Sequence, residues 1–243
     1  IERMCDIGTL YTPSPDLTHL AWQRSRVGKQ SWSLCGVTHT TSSTSVMDSI
    51  VSYLSAPVEP WDALVCTSQA AKAVVTRLLD RQQAYLAQSI GAQTFTRPQL
   101  PVIPLGVECQ SFNFSEGQRQ QARAALNIKK DDLVVLYAGR LSFHAKAHPL
   151  PMYAALEALS DKYDIHIVHF GVFSNTGLEQ AFKAGALALC PNITCHWLDG
   201  SLNENHGLAW QSADVFCSLA DNIQETFGLT PIEAMAAGLP VVV

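Results

Sequence analysis

The sequence predicts an α/β fold built as two successive domains with parallel sheets. Short β-branched runs alternate with helical patterns over most of the chain, which is the rhythm of βαβ units. Of the 243 residues 47% are hydrophobic and only 15% charged, against the ~25% charged that is usual, so much of the chain is expected in buried strands and helices. The rhythm also breaks at a polar stretch near the middle and then restarts. At about 100–200 residues per domain, the length accommodates one large core or two small ones.

The first clear unit is the apolar run Ala63 to Cys66, which leads into Thr67-Ser68. Ser68 is placed to cap a helix from Gln69 to about Gln88, with Val74, Val75, Leu78, Leu79 and Leu86 on its apolar face. Leu100 to Glu108 reads as another short strand. From Ser111 to Lys130 the chain turns polar, and Gln118, Arg119, Gln120, Gln121 and Arg123 fall on an expected exposed helix. This change sets a domain boundary near Val107 to Phe114, dividing the chain into 1–108 and 109–243. The second half then reads as strand Leu133 to Ala138, helix Pro149 to Ser160, strand Ile165 to Phe170 and helix Leu178 to Leu189. Strand Ile193 to Trp197, helix Glu204 to Ser212, strand Val215 to Ser218, helix Pro231 to Ala237 and a strand from Pro240 complete a Rossmann-like order.

Charge and composition exclude several functions. There are 16 Lys+Arg against 21 Asp+Glu, a formal net charge of −5 with no Lys/Arg run, so nucleic acid is not an expected partner. Seven scattered cysteines without a C-x-x-C pair read as buried thiols of a reducing compartment. No uninterrupted apolar stretch approaches the ~18 residues of a membrane span. The chain starts at Ile1 and stops at Val243 inside an expected strand, so both domains are expected to be incomplete and a leader or anchor upstream stays open.

Two constellations carry chemistry. Glu225 and Glu233 lie eight residues apart in the segment Asn222 to Val243. Thr230-Pro231-Ile232-Glu233 has the form of a capping box with Pro at the first helical position, which would put Glu233 in the first turn of a helix and Glu225 in the loop before it. Strand, loop and helix start in that order bring the loop to the carboxyl edge of a sheet, where open α/β folds bind ligands and free N–H groups favour phosphate. The spacing fits equally a Glu233 that only caps its helix and a solvated Glu225. Upstream, the expected strand at Tyr137 ends at Gly139 and delivers Arg140 and Lys146 into the next loop; a planar fork and a point charge together suit a diphosphate. His144 and His148 sit four apart, as metal ligands on a helix would, but a loop context and the lack of a third ligand argue against a metal site.

These segments, taken in order, resemble the retaining glycosyltransferases of family 4, which have the GT-B fold. The likeness lies in G-R-L with Lys146 after it, A-D-V-F at 213–216, and E-T-F-G-L-T-P-I-E-A-M-A-A-G-L-P-V-V from Glu225, which contains the E-x7-E signature. T-S-Q-A at 67–70 and V-I-P-L-G-V-E at 102–108 stand in the family's order, so the resemblance runs from about Gly36 to Val243. Glu108 and Leu105 replace the more usual Asp and Asn, and Phe143-His144-Ala145 lengthens the loop before Lys146.

The resemblance implies a hexosyltransferase that uses a nucleotide-diphosphate sugar with retention and needs neither metal nor cofactor. Residues 1–108 would form a partial acceptor-side domain and 109–243 a partial nucleotide-sugar-binding domain. Arg140 and Lys146 would hold the donor diphosphate, Glu225 would meet the sugar hydroxyls, and Glu233 would bind the ribose. Phe227, Gly228 and Leu229 would offer backbone N–H groups, and His39 would face the donor from the first domain. Family phosphorylases share the signature, and a catalytically dead interaction subunit is a rival of another class, though the retained Arg140, Lys146, Glu225 and Glu233 disfavour it. A cytoplasmic location follows from the thiols and from where nucleotide sugars reside, and peripheral association with the inner membrane face is compatible with it.

Overall fold

The computed structural model of the chain describes residues 8–143, 146, 148–220 and 225–243. The chain divides into two units. The first holds the residues up to Leu105 together with Glu225, Thr226 and Phe227; the second holds the rest from Gly106 onward.

The first unit is built on a three-stranded parallel sheet in the order β1 (Thr9–Tyr11), β2 (Ser33–Val37), β3 (Ala63–Val65). Its helices are α1 (Thr18–Ser25), α2 (Thr44–Val51) and α3 (Gln69–Ile90). Ser68 caps α3 as expected, its side chain accepting from the Ala71 N–H, and Gly91 ends the helix in a left-handed conformation at φ 69°. Val75 and Leu79 of α3 are buried, whereas Val74, expected on the same face, is exposed. The expected strand at Leu100 to Glu108 reduces to isolated bridges, Ala63 with Gln99 and Cys66 with Val102. Pro101 and Pro104 supply no N–H to extend a ladder there. At the centre of this unit Arg24 and Asp62 form a fully buried ion pair, Nη1 to Oδ1 at 2.6 Å.

The second unit has a five-stranded parallel sheet in the order β6 (Thr194–Asp199), β5 (Ile165–Gly171), β4 (Leu133–Ala138), β7 (Val215–Cys217), β8 (Val241–Val242). The helices are α4 (Glu116–Ala125), α5 (Leu150–Glu157), α6 (Thr176–Leu189), α7 (Asn203–Ser212) and α8 (Leu229–Ala236). The chain winds outward from β4 through β5 to β6, then returns to β7 and β8 on the other side of β4. That reversal opens a crevice at the carboxyl ends of β4 and β7, the switch point where such sheets bind ligands. β4 is buried along both faces. Val135 and Tyr137 pack with Tyr153 and Phe182, while Val134, Leu136 and Ala138 pack with Ala209, Trp210 and Phe216. This two-sided burial explains why its sequence is an unbroken apolar run.

Two expectations change here. α4 is not simply an exposed polar helix, because Arg123 is buried. Arg123 donates to the carbonyl of Ser212 at 3.3 Å and pairs with Asp214 at 3.2 Å, while Asp214 also accepts from the Val134 N–H at 2.7 Å. The Asp of A-D-V-F is thus a structural tie between α4, β4 and β7. The cysteines also vary: Cys66, Cys190 and Cys217 are buried, Cys35 and Cys195 half-buried, and Cys109 exposed, all as free thiols. Among the described residues no helix is long and apolar enough to cross a membrane.

Candidate functional site

The crevice of the second unit contains a cavity of about 450 Å³. Three strand ends contribute to its lining. β4 ends at Ala138 and is followed by Gly139-Arg140, β5 ends in Phe170-Gly171 and is followed by Val172, and Gly200 follows β6; all seven residues line the cavity. The strand ends approach closely at glycines: a Cβ on Gly171 would overlap the Gly139 carbonyl oxygen, and one on Gly200 would lie 2.9 Å from Gly171 Cα. The N–H groups of Gly139 and Gly200 are taken by the carbonyls of Phe170 and Gly171, both at 3.0 Å, so the group here suited to an anionic ligand is the Arg140 guanidinium.

Arg140 and Glu233 line this same cavity, together with Thr230. Arg140 is exposed, and among the described residues its guanidinium has no hydrogen-bond or ion-pair partner. Lys146 lies in the following loop, half-buried, with its backbone N–H donating to the Ser142 carbonyl at 3.2 Å. His144 lies outside the described residues. No group of three or more His, Cys, Asp or Glu among the described residues is arranged to hold a metal.

The expected capping box at Thr230 does not form. α8 starts one residue before Thr230, at Leu229, with Gly228 as its N-cap at φ 73° and no side-chain cap. Thr230 and Pro231 therefore lie inside the first turn, and Glu233 falls in the second turn, where it cannot cap. A left-handed N-cap is open to glycine at no steric cost, so Gly228 rather than Thr230 sets the start of the helix. Glu233 is freed from a capping role, and its side chain is half-buried in the cavity. Burial pushes its carboxyl above the ordinary carboxylate range.

That shift has a testable consequence. A raised folded-state value means the native chain binds the Glu233 proton more tightly than the unfolded chain does. The associated stability is present below the unfolded value and is lost as pH rises through the folded one. At neutral pH the unliganded protein carries the cost of a charged, partly desolvated carboxylate. Glu233→Gln is expected to raise the apparent melting temperature at pH 7 relative to the parent, with the gain vanishing near pH 4. Equal gains at both pH values would contradict the assignment.

The remaining expected residues fall in two places. Gly228 and Leu229 start α8, but they are not among the residues lining the cavity. Glu225 and Phe227 are half-buried and group with the first unit. The Thr226 hydroxyl between them donates to the His39 carbonyl at 3.2 Å, and the Thr226 carbonyl accepts from the Thr67 hydroxyl at 3.3 Å. His39 itself is exposed.

Several lining residues are not marked as site residues by the sequence patterns above: Gly171, Val172 and Gly200 at the strand ends, and the aromatic side chains Phe170, His206 and Trp210. Burial holds the His206 imidazole below its ordinary value. His206 and Trp210 lie four residues apart on α7, a spacing that shares one helix face and could have marked them.

Two units with parallel sheets, the second with a cation-bearing crevice at its switch point, define an α/β fold of the doubly wound kind. Residues 118–243 match the family model for glycosyl transferases group 1. The chain belongs to this family. A D-inositol 3-phosphate glycosyltransferase from Geodermatophilus obscurus is 34% identical over 149 residues, 58% of this chain and 32% of that protein. Its namesake from Mycolicibacterium vanbaalenii is 27% identical over 177 residues, covering 68% and 37%. The chain thus spans about a third of the length of these relatives. Among solved structures, HepE of Anabaena in complex with UDP superposes with a TM-score of 0.70 at 15% identity, covering 99% of this chain and 60% of that one. Trehalose-6-phosphate synthase OtsA gives 0.60 at 15% identity, covering 92% and 52%. At this identity the likeness establishes the fold, which is of the GT-B type.

Proposed function

We propose that the chain is part of a family 4 retaining glycosyltransferase that moves a hexosyl group from a nucleotide-diphosphate sugar to an acceptor. In this reading residues 109–243 bind the donor and residues 1–108 form the acceptor side. The observation that carries it is the placement of Arg140 and Glu233 in one cavity at the strand ends of the second unit. The E-x7-E reading adds Glu225 to the sugar, and the UDP bound in the HepE complex makes that nucleotide the first to try. The names of the relatives make an inositol phosphate the first acceptor to try.

The chemistry follows from charge. The glycosidic bond breaks through an oxocarbenium-like state and leaves a diphosphate that gains negative charge. Arg140 and Lys146 would stabilise that charge more in the transition state than in the bound donor, which is what lowers the barrier. Two side-chain cations can do this without a metal, and the reading assigns no step to one. Glu233 would accept from ribose hydroxyls, the N–H groups of Phe227, Gly228 and Leu229 would meet phosphate and sugar, and Glu225 would orient the sugar at the reacting carbon. His39 would face the donor from the first unit. Nucleotide sugars reside in the cytoplasm, so the reading places the enzyme there, with its acceptor in solution or at the inner membrane face.

The experiment is transfer from UDP-glucose to an inositol phosphate, with the anomer of the product read by NMR. Glu225→Ala is expected to lower transfer by about a hundredfold, the scale of a lost transition-state contact, while UDP binds as before. A variant that transfers as fast as the parent, or a product of inverted configuration, would contradict the reading.

A further inference from the structure

We propose that His206 is a recognition residue for the donor's nucleobase, its imidazole hydrogen-bonding the polar edge of a base laid against Phe170 and Trp210. The inference rests on the donor reading above and extends it to the part of the cavity that Arg140 and Glu233 leave without a ligand group.

The cavity is chemically graded. The Arg140 side carries a cation beside the glycines at the strand ends, and α8 supplies Thr230 and Glu233. The wall formed by α7 and the end of β5 is instead aromatic. The His206 ring centroid lies 5.9 Å from Phe170 at 83°, 6.1 Å from Trp210 and 5.5 Å from Phe112. Trp210 is held in turn by Phe112 at 5.3 Å and by stacking on Phe216 at 6.1 Å and 9°. His206 therefore stands on a rigid surface, which suits it to selecting among ligands.

Within that wall His206 is the polar side chain, and among the described residues neither of its ring nitrogens has a hydrogen-bond partner. Neither nitrogen is sealed in the core, so both are reachable from solvent and available to a ligand. Burial disfavours the charged form, so near pH 7 the ring is neutral, with one N–H donor and one bare nitrogen acceptor. A neutral donor–acceptor group beside aromatic faces matches a nucleobase, which has a flat face and mixed donors and acceptors on its edge. It is a poor match for a diphosphate, which calls for cations. A base here would join a ribose at Glu233 and a diphosphate at Arg140 in the order in which a nucleotide carries them.

The test titrates UDP, GDP, ADP and inorganic pyrophosphate into the chain, into His206→Phe and His206→Gln, and into the Arg140→Ala/Lys146→Ala double variant. His206→Phe keeps an aromatic ring in the cluster and deletes the hydrogen bond. It is expected to weaken the preferred nucleotide about 3- to 10-fold, the size of one net hydrogen bond. It should also narrow the preference among bases and leave pyrophosphate binding as it was. His206→Gln, which retains a donor and an acceptor, should recover part of the loss. Independently of any variant, the ring nitrogens of His206 in the parent chain should shift in 15N NMR with the nucleotide and not with pyrophosphate. Unchanged nucleotide affinity in His206→Phe, equal weakening of pyrophosphate, or unmoved ring nitrogens would overturn the proposal while the donor site stands. If the Arg140/Lys146 variant also binds everything normally, the donor reading itself fails.

Discussion

Arg24→Ala will destabilise the first unit by about 3–5 kcal/mol, the cost of breaking a fully buried ion pair by removing one partner. Arg24 is 1% exposed and Asp62 0%. The pair is bidentate, with Nη1 to Oδ1 at 2.6 Å and Nη2 to Oδ2 at 2.7 Å, and Arg24 also donates to the carbonyls of Trp32 at 3.0 Å and Pro57 at 3.1 Å. Asp62 accepts from the N–H groups of Leu34 and Glu59, both at 2.8 Å. Removing the guanidinium leaves a carboxylate between β2 and β3 with only those two donors, and leaves two carbonyls without one. Denaturant-dependent hydrogen exchange at the Leu34 amide reports this unit by itself. A loss under about 1 kcal/mol would contradict the account, since surface pairs have that value. Replacing both partners by apolar residues of similar volume should recover much of the loss, because the cost lies in the orphaned charge.

Arg140→Ala combined with Lys146→Ala is expected to weaken nucleoside diphosphate binding by about 2–4 kcal/mol. The figure comes from two charge-assisted contacts at ~1.5–3 kcal/mol each, reduced by the water that replaces them. Ionic strength supplies the check. Parent affinity should fall with added salt, since Arg140 is exposed and Lys146 half-buried and solvent screening reaches both, and the double variant should show a much flatter dependence. A variant that keeps both the affinity and the salt slope of the parent would remove these residues from the site.

The second unit is the more legible in sequence, for a physical reason. β4 is buried on both faces, so its run is apolar without interruption. β5 is buried from Ile165 to His169 and still reads as a strand although His166 and His169 interrupt its apolar run, and α6 runs from Thr176 to Leu189, close to where its pattern places it. The first strand and helix of the first unit leave no readable pattern. β1 has three residues, too few for a period, and α1 places Arg24 where the core expects an apolar residue. The same effect misleads at Arg123, whose polar neighbours suggest a solvated helix. In both cases an arginine is buried because a partner carboxylate far along the chain, Asp62 or Asp214, meets it, and such pairing leaves no local trace in sequence.

The candidate site divides in the same way. The cations after β4 and the carboxylate on α8 stand out because their residue types are rare in the surrounding apolar segments. The start of α8 is misplaced by sequence because Thr-x-x-Glu imitates a cap, while Gly228 takes a left-handed conformation that nothing in the local pattern requires. The aromatic wall goes unmarked because Phe170, His206 and Trp210 resemble ordinary core residues until three strand ends and a helix bring them together.

The central claim is that the donor nucleotide lies in the cavity of the second unit, and hydrogen–deuterium exchange with bound nucleotide tests it most directly. With UDP, GDP and ADP each at saturating concentration, the account predicts that at least one slows exchange in segments 138–140, 170–172 and 228–233 together. The Arg140→Ala/Lys146→Ala variant at the same concentration should lose that protection. Protection confined to other segments, or no protection there with any of the three nucleotides on a folded chain, would contradict it.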